Sequence, residues 1–119
     1  MGHYVDGYVL AVPKDKIDEY RELAALSGQV WKEHGALAYV ENIADDVQPG
    51  KVTSFPQAVQ ARDNELVVFS WIVYASREER DRINAAVMKD PRLADMSPDK
   101  MPFDGMRMFW GGFSNLVNL

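Results

Sequence analysis

The chain has 119 residues, of which 47% are hydrophobic and 26% charged, with no cysteine and a formal net charge of −5. That length accommodates one domain over residues 1–119, with a core that needs no covalent staples. The missing thiols exclude disulfides, thiolate metal sites and cysteine catalysis. An acidic chain whose Lys and Arg are scattered beside Asp and Glu argues against nucleic acid.

No apolar run approaches the ~20 residues of a membrane span, and the first residues lack a basic–apolar signal pattern. The expected setting is the cytoplasm, with no membrane partner.

His3–Val12 reads as the first strand. Val5, Gly7, Val9 and Ala11 make a small face, and Tyr4, Asp6, Tyr8, Leu10 and Val12 a larger, mixed one. The small face suits close packing against helices, the larger one a pocket or interface. Pro13 ends the strand and suits the first position of a helix. That helix is expected over residues 13–34. Ile17, Tyr20, Ala24, Ser27, Trp31 and His34 recur at alternating spacings of 3 and 4. Acidic residues gather toward its N-terminal half, where the helix dipole favours them. Gly28 inside the helix costs about 1 kcal/mol relative to Ala, which points to a close packing contact. Gly35 suits a left-handed stop.

Residues 36–44 read as the second strand, and residues 45–50 carry turn chemistry. Residues 51–64 admit two readings: a short helix capped by Ser54 with Pro56 near its start, or an edge strand over residues 57–61. The short helix is preferred. Residues 66–74 then form the longest β-branched and aromatic run, apolar on both faces and broken only by Ser70. A strand of that kind needs cover on both sides.

Ser76 with Glu79 three residues later makes a capping box for a second helix, which places Ile83 and Val87 inward. Asp90-Pro91 breaks it, and residues 92–96 suit one more turn. Residues 97–102 are loop, and residues 106–113 read as the last strand.

The order β-α-β-β-α-β is the α+β, ferredoxin-like arrangement: a four-stranded antiparallel sheet with two helices on one face. Every strand has apolar residues on both sides, so the second sheet face would expose far more apolar surface than a monomer usually leaves open. Packing two sheets face to face around a two-fold axis removes that exposure, so a homodimer with a barrel-like interior is expected.

Several local signatures carry a family resemblance. Residues 4–7 (Tyr-Val-Asp-Gly), 11–13 (Ala-Val-Pro), 45–47 with 50–53, 68–72 (Val-Phe-Ser-Trp-Ile), 90–92 (Asp-Pro-Arg), 101–105 (Met-Pro-Phe-Asp-Gly) and 111–113 (Gly-Gly-Phe) appear in one order over nearly the whole chain. In these the chain resembles the YbaA-like domain-of-unknown-function family of small bacterial proteins. The resemblance implies the dimeric α+β barrel superfamily and carries over no catalytic residue. By analogy with that superfamily it also admits a cofactor-free oxygenase or isomerase.

Three residues are candidates for proton transfer. His34 sits at a helix C-terminus, where the dipole favours its cation; the structural alternative is a helix-end support. Asp6 alternates with Tyr4 and Tyr8 and is a candidate general base, or else an ion-pair partner of an arginine such as Arg107. Glu41 occupies an equivalent place on strand two. Tyr4, Tyr8, Ser70, Trp110 and Phe103 are the candidate ligand-lining residues, with Phe103 also suited to plug the core end. Trp31, Trp71 and Trp110 suit either an aromatic box or packing.

With two separated histidines and no cysteine, neither a metal site nor a cofactor is expected. The functional expectation is a small apolar or aromatic metabolite bound in a pocket of the barrel. The alternative is a non-enzymatic structural or regulatory dimer, in which the same residues specify an interface.

Overall fold

The run of β-branched and aromatic residues forms a central strand. In the computed structural model, which describes residues 2–94 and 96–119, it spans Glu65–Tyr74. In chain order the elements are β1 (Tyr4–Pro13), α1 (Ile17–His34), β2 (Ala38–Ile43), α2 (Phe55–Ala58), β3 (Glu65–Tyr74), α3 (Arg77–Met88), α4 (Pro91–Ala94) and β4 (Phe109–Ser114). The four strands pair antiparallel in the order β2-β3-β1-β4. This is the α+β, ferredoxin-like arrangement that the element order implies. No helix among the described residues is long and apolar enough to cross a membrane.

Local chemistry sets most of the boundaries. Ser76 caps α3 by accepting a hydrogen bond from the Glu79 backbone N–H at 3.1 Å. Ser54 does the same for α2, accepting from the Gln57 N–H, so residues 55–58 are helical rather than an edge strand. Gly35 ends α1 at φ +121°, a backbone conformation that side chains beyond glycine rarely adopt.

Two starts differ from expectation by three residues or more. The first helix does not start at Pro13, which belongs to β1. Lys14–Lys16 form a 3-10 turn, and α-helix begins at Ile17. β4 begins at Phe109 rather than Met106, because Asp104 accepts from the Met106 N–H at 3.0 Å and from the Arg107 guanidinium at 3.0 Å, folding residues 105–107 into a turn.

The faces of β1 are also reversed from expectation. The larger face, not the small one, meets the helices. Leu10 and Val12 are buried with Val68 against Ile17, Tyr20 and Phe103, while Tyr4 and Tyr8 pack on the core around Ile72, Tyr74, Ile83 and Val87. Helices standing over long side chains leave room between the layers.

The small face lies on the other side of the sheet. There Val9, Ala11 and Val67 are covered by Val59 from the segment after α2. The chain therefore covers part of its own second face. The rest remains open: Phe69, Phe109 and Phe113 are 42%, 45% and 65% exposed. Gly7 and Gly111 are directly paired on that face beside Trp71, making a shallow trough without side chains.

Candidate functional site

Strand register builds the site. Glu41 pairs with Ser70, Ser70 with Tyr8, and Tyr8 with Trp110, so one row of side chains crosses all four strands on the helix-facing side. Tyr8 and Trp110 stack with ring centroids 5.8 Å apart. Above the row, between the sheet and α1, lies a cavity of about 430 Å³. Tyr8, Glu41 and Ser70 form its floor, with Tyr20, Ser27 and Trp31 of α1 along one wall. Met88 at the end of α3, with Met101, Phe103 and Met108 from the segments after it, closes the cavity.

The polar centre of this cavity is a carboxylate held by two phenols. The Tyr20 hydroxyl donates to Glu41 Oε1 and the Tyr39 hydroxyl to Oε2, each at 2.7 Å. Tyr39 and Glu41 are two apart on β2 and so share a face, while Tyr20 reaches down from the second turn of α1. Burial, and then the adjacent Glu41 charge, push both phenol pKa values well above the usual tyrosine range. Burial also raises that of Tyr8, with Asp6 adding to it. All three are neutral donors near pH 7.

Gly28 makes the arrangement possible. A Cβ there would stand 2.7 Å from Tyr39 Cδ1, so only glycine lets α1 settle over that ring. A second cavity of about 450 Å³ lies on the outer side of the same group and shares Tyr20, Tyr39 and Glu41 as its wall.

Of the residues singled out in the sequence, Tyr8, Glu41, Ser70 and Phe103 line the inner cavity together. Tyr4, Asp6 and Trp110 gather instead around the guanidinium of Arg80, on α3. Arg80 Nε donates to both oxygens of Asp6, at 3.0 and 3.1 Å, and its guanidinium lies 5.1 Å from the Tyr4 ring centroid and 6.0 Å from that of Trp110. Asp6 is 0% exposed. Its partner is therefore Arg80, and Arg107 pairs with Glu65 and Asp104. A side chain at Gly112 would collide with Arg80 and Tyr4.

His34 lies away from the cavity, its Nε2 2.9 Å from Asp90 Oδ2. Arg92 donates to the same carboxylate and to Glu33, tying the end of α1 to α4. Arg92 first, and then His34, hold the Asp90 carboxyl well below the usual range. His34 is a clasp rather than an acid–base group of the cavity.

The three tryptophans do not form a box. Trp31 donates to the Tyr74 hydroxyl and Asn84, Trp110 stacks on Tyr8, and Trp71 packs against Phe69. Among the described residues no group of three or more His, Asp or Glu is placed to hold a metal ion.

Tyr20 and Tyr39 are the site residues that sequence reading did not select. Their signal was present: Tyr20 lies in the α1 stripe, and Tyr39 precedes Glu41 by two.

Residues 3–105 match the family described as "Protein of unknown function (DUF1428)". The chain belongs to this family. It is 54% identical over 115 residues to the uncharacterized protein YbaA of Escherichia coli (strain K12), covering 97% of each chain. The YbaA protein of Shigella flexneri gives the same identity and coverage. Among solved structures, a putative antibiotic biosynthesis monooxygenase from Nitrosomonas europaea superposes with a TM-score of 0.50 at 14% identity, covering 98% of this chain and 93% of that one. That likeness is one of fold.

Proposed function

We propose that this protein is a cytoplasmic homodimer in which each protomer binds a small apolar or aromatic metabolite between α1 and the sheet. One observation carries the binding reading: a cavity of about 430 Å³, walled by aromatic rings and methionines, converges on Glu41, Ser70 and Tyr8. Small-molecule sites combine such apolar walls with a few placed polar groups, in volumes of roughly 300–1,000 Å³. Met88, Met96, Met101 and Met108 all line it, out of six methionines in the chain. Flexible, polarizable thioethers suit a wall that adapts to its guest.

Dimerisation is supported by the open sheet face, where Phe69, Phe109 and Phe113 surround the Gly7–Gly111 trough. A second copy presenting the same face would bury these rings, as an isologous two-fold contact requires. The monooxygenase neighbour contributes fold alone, because a shared fold does not transfer chemistry.

Titration with the neutral dye N-phenyl-1-naphthylamine tests the binding reading. A saturable rise in fluorescence is expected, and Ala94→Trp, at an exposed position on the cavity rim, is expected to suppress it. Dye uptake that fails to saturate, or is indifferent to A94W, would sink the reading.

A further inference from the structure

We propose that the ligand of the inner cavity is a hydrophobic amine, its ammonium held at Glu41 and its hydrocarbon part lodged among the methionines and Phe103. This rests on the reading of the cavity as a ligand site and names the class of guest.

The argument is one of charge. Among the described residues no Lys, Arg or His lines the cavity, and Glu41 is the one carboxylate that does. The hydrogen bonds that Glu41 receives come from two neutral phenols, and among the described residues it has no ion-pair partner.

The cations in its neighbourhood are engaged elsewhere. Lys32 donates to the Leu37 carbonyl and Arg21 to Asp18, both on the outer side. On α3, Arg80 is held by Asp6 and Asp81.

A carboxylate between apolar layers without a countercharge is costly, and a guest that seals the cavity removes its remaining water. An anionic guest would add a second negative charge at short range. A neutral guest would desolvate Glu41 with no compensation. An ammonium supplies the missing charge and three donors. Each Glu41 oxygen accepts from one phenol and so keeps one acceptor position for the guest. The surrounding rings of Tyr8, Tyr20, Trp31 and Tyr39 add favourable faces for a cation. Their phenols stay protonated and add no charge of their own.

Three indoles of similar size separate the possibilities: tryptamine (cation), tryptophol (neutral) and indole-3-acetate (anion), each titrated calorimetrically into the full chain at pH 7. Tryptamine is expected to bind about tenfold or more tighter than indole-3-acetate. In Glu41→Gln, which keeps the shape and an acceptor for the phenols, that preference is expected to collapse toward parity. Should E41Q fail to fold, the ranking in the unaltered protein decides alone.

Equal or tighter binding of indole-3-acetate, or tightest binding of tryptophol, overturns the amine assignment while leaving the cavity a ligand site. Retention of the full preference in a folded E41Q also overturns it. If none of the three binds and the neutral dye fails as well, the ligand-site reading itself falls, and this assignment with it.

Discussion

Arg80 Nε sits 3.0 Å from Asp6 Oδ1 and 3.1 Å from Oδ2, joining the first strand to the last long helix across 74 residues of sequence. The Asp6 side chain is fully buried and that of Arg80 is 15% exposed. The pair stands at one end of the helix–sheet interface, under Tyr4 and Trp110 and against Gly112.

Removing one member of this pair leaves the other charge stranded. Arg80→Met is expected to lower unfolding free energy by about 3–5 kcal/mol, the usual cost of breaking a buried pair from one side. Replacing both together, Asp6→Leu with Arg80→Met, is expected to recover much of that loss, because no uncompensated charge remains. Urea denaturation of the two single variants and the double variant measures the coupling. Additive losses would show that the two charges act independently.

Gly28→Ala tests the contact between α1 and the phenol pair. Alanine is the better helix former by about 1 kcal/mol, so helix propensity alone predicts stabilisation. The added Cβ, however, would lie 2.7 Å from Tyr39, whose ring is held in place by its bond to Glu41. Net destabilisation of about 1–3 kcal/mol is expected, as for an overpacked core position. A rise in melting temperature would mean that Tyr39 yields without cost.

Acid sensitivity should report on Glu65. Hydrogen bonds from Arg107 hold its carboxyl below the usual glutamate range, outweighing the opposing effect of burial, with the Arg62 backbone assisting. A depressed folded-state pKa contributes stability that is present above the unfolded value of about 4.3 and is lost as pH falls through the folded value. Glu65→Gln is therefore expected to be less stable than the parent at pH 7. The gap should narrow as both are acidified below about pH 4. Chemical denaturation across pH 3–7 gives the two curves. A gap that stays constant would assign the loss to packing rather than charge. Asp90 and Asp104, likewise depressed by arginines, should preserve some acid sensitivity in E65Q.

The open sheet face should respond to a single charge. Phe113 lies on the edge strand and is 65% exposed, so Phe113→Glu is expected to leave the protomer folded. In the proposed dimer it would set two carboxylates in an apolar contact. Sedimentation velocity should then report monomer where the parent sediments as dimer, with an unchanged far-ultraviolet spectrum. A parent that is monomeric at high concentration would remove this reading.

Much of the architecture was legible because it depends on local patterns. Two-residue alternation marked the strands, the 3–4 spacing marked α1, and Ser54 and Ser76 announced helix starts through their caps. Gly28 and Gly35 each signalled a constraint that the backbone meets. The start of β4 was not legible, since alternation continues through Met106 while Asp104 and Arg107 draw the chain into a turn. Nor was the orientation of β1. Both faces of that strand are apolar enough to be covered, and alternation alone does not say which one the helices take.

The candidate site divided along the same line. Tyr8, Glu41, Ser70 and Phe103 were identified from the sequence, and strand register joins the first three in one row. Ser70, the polar break in the central strand, lies beside Glu41 and Tyr8 and lines the cavity; Asp6 belongs to the next row, opposite Ile72.

The sequence by itself determined the elements, their order and the excess of apolar strand surface, because propensity, periodicity and capping act within a few residues. Only the tertiary structure decided that Asp6 meets Arg80, that Arg107 meets Glu65, and that two phenols converge on Glu41. These pairings join positions 74, 42 and 21 residues apart, counting Tyr20 for the last. Several acids and bases compete for each partner along the chain, and packing of the helices onto the sheet selects among them.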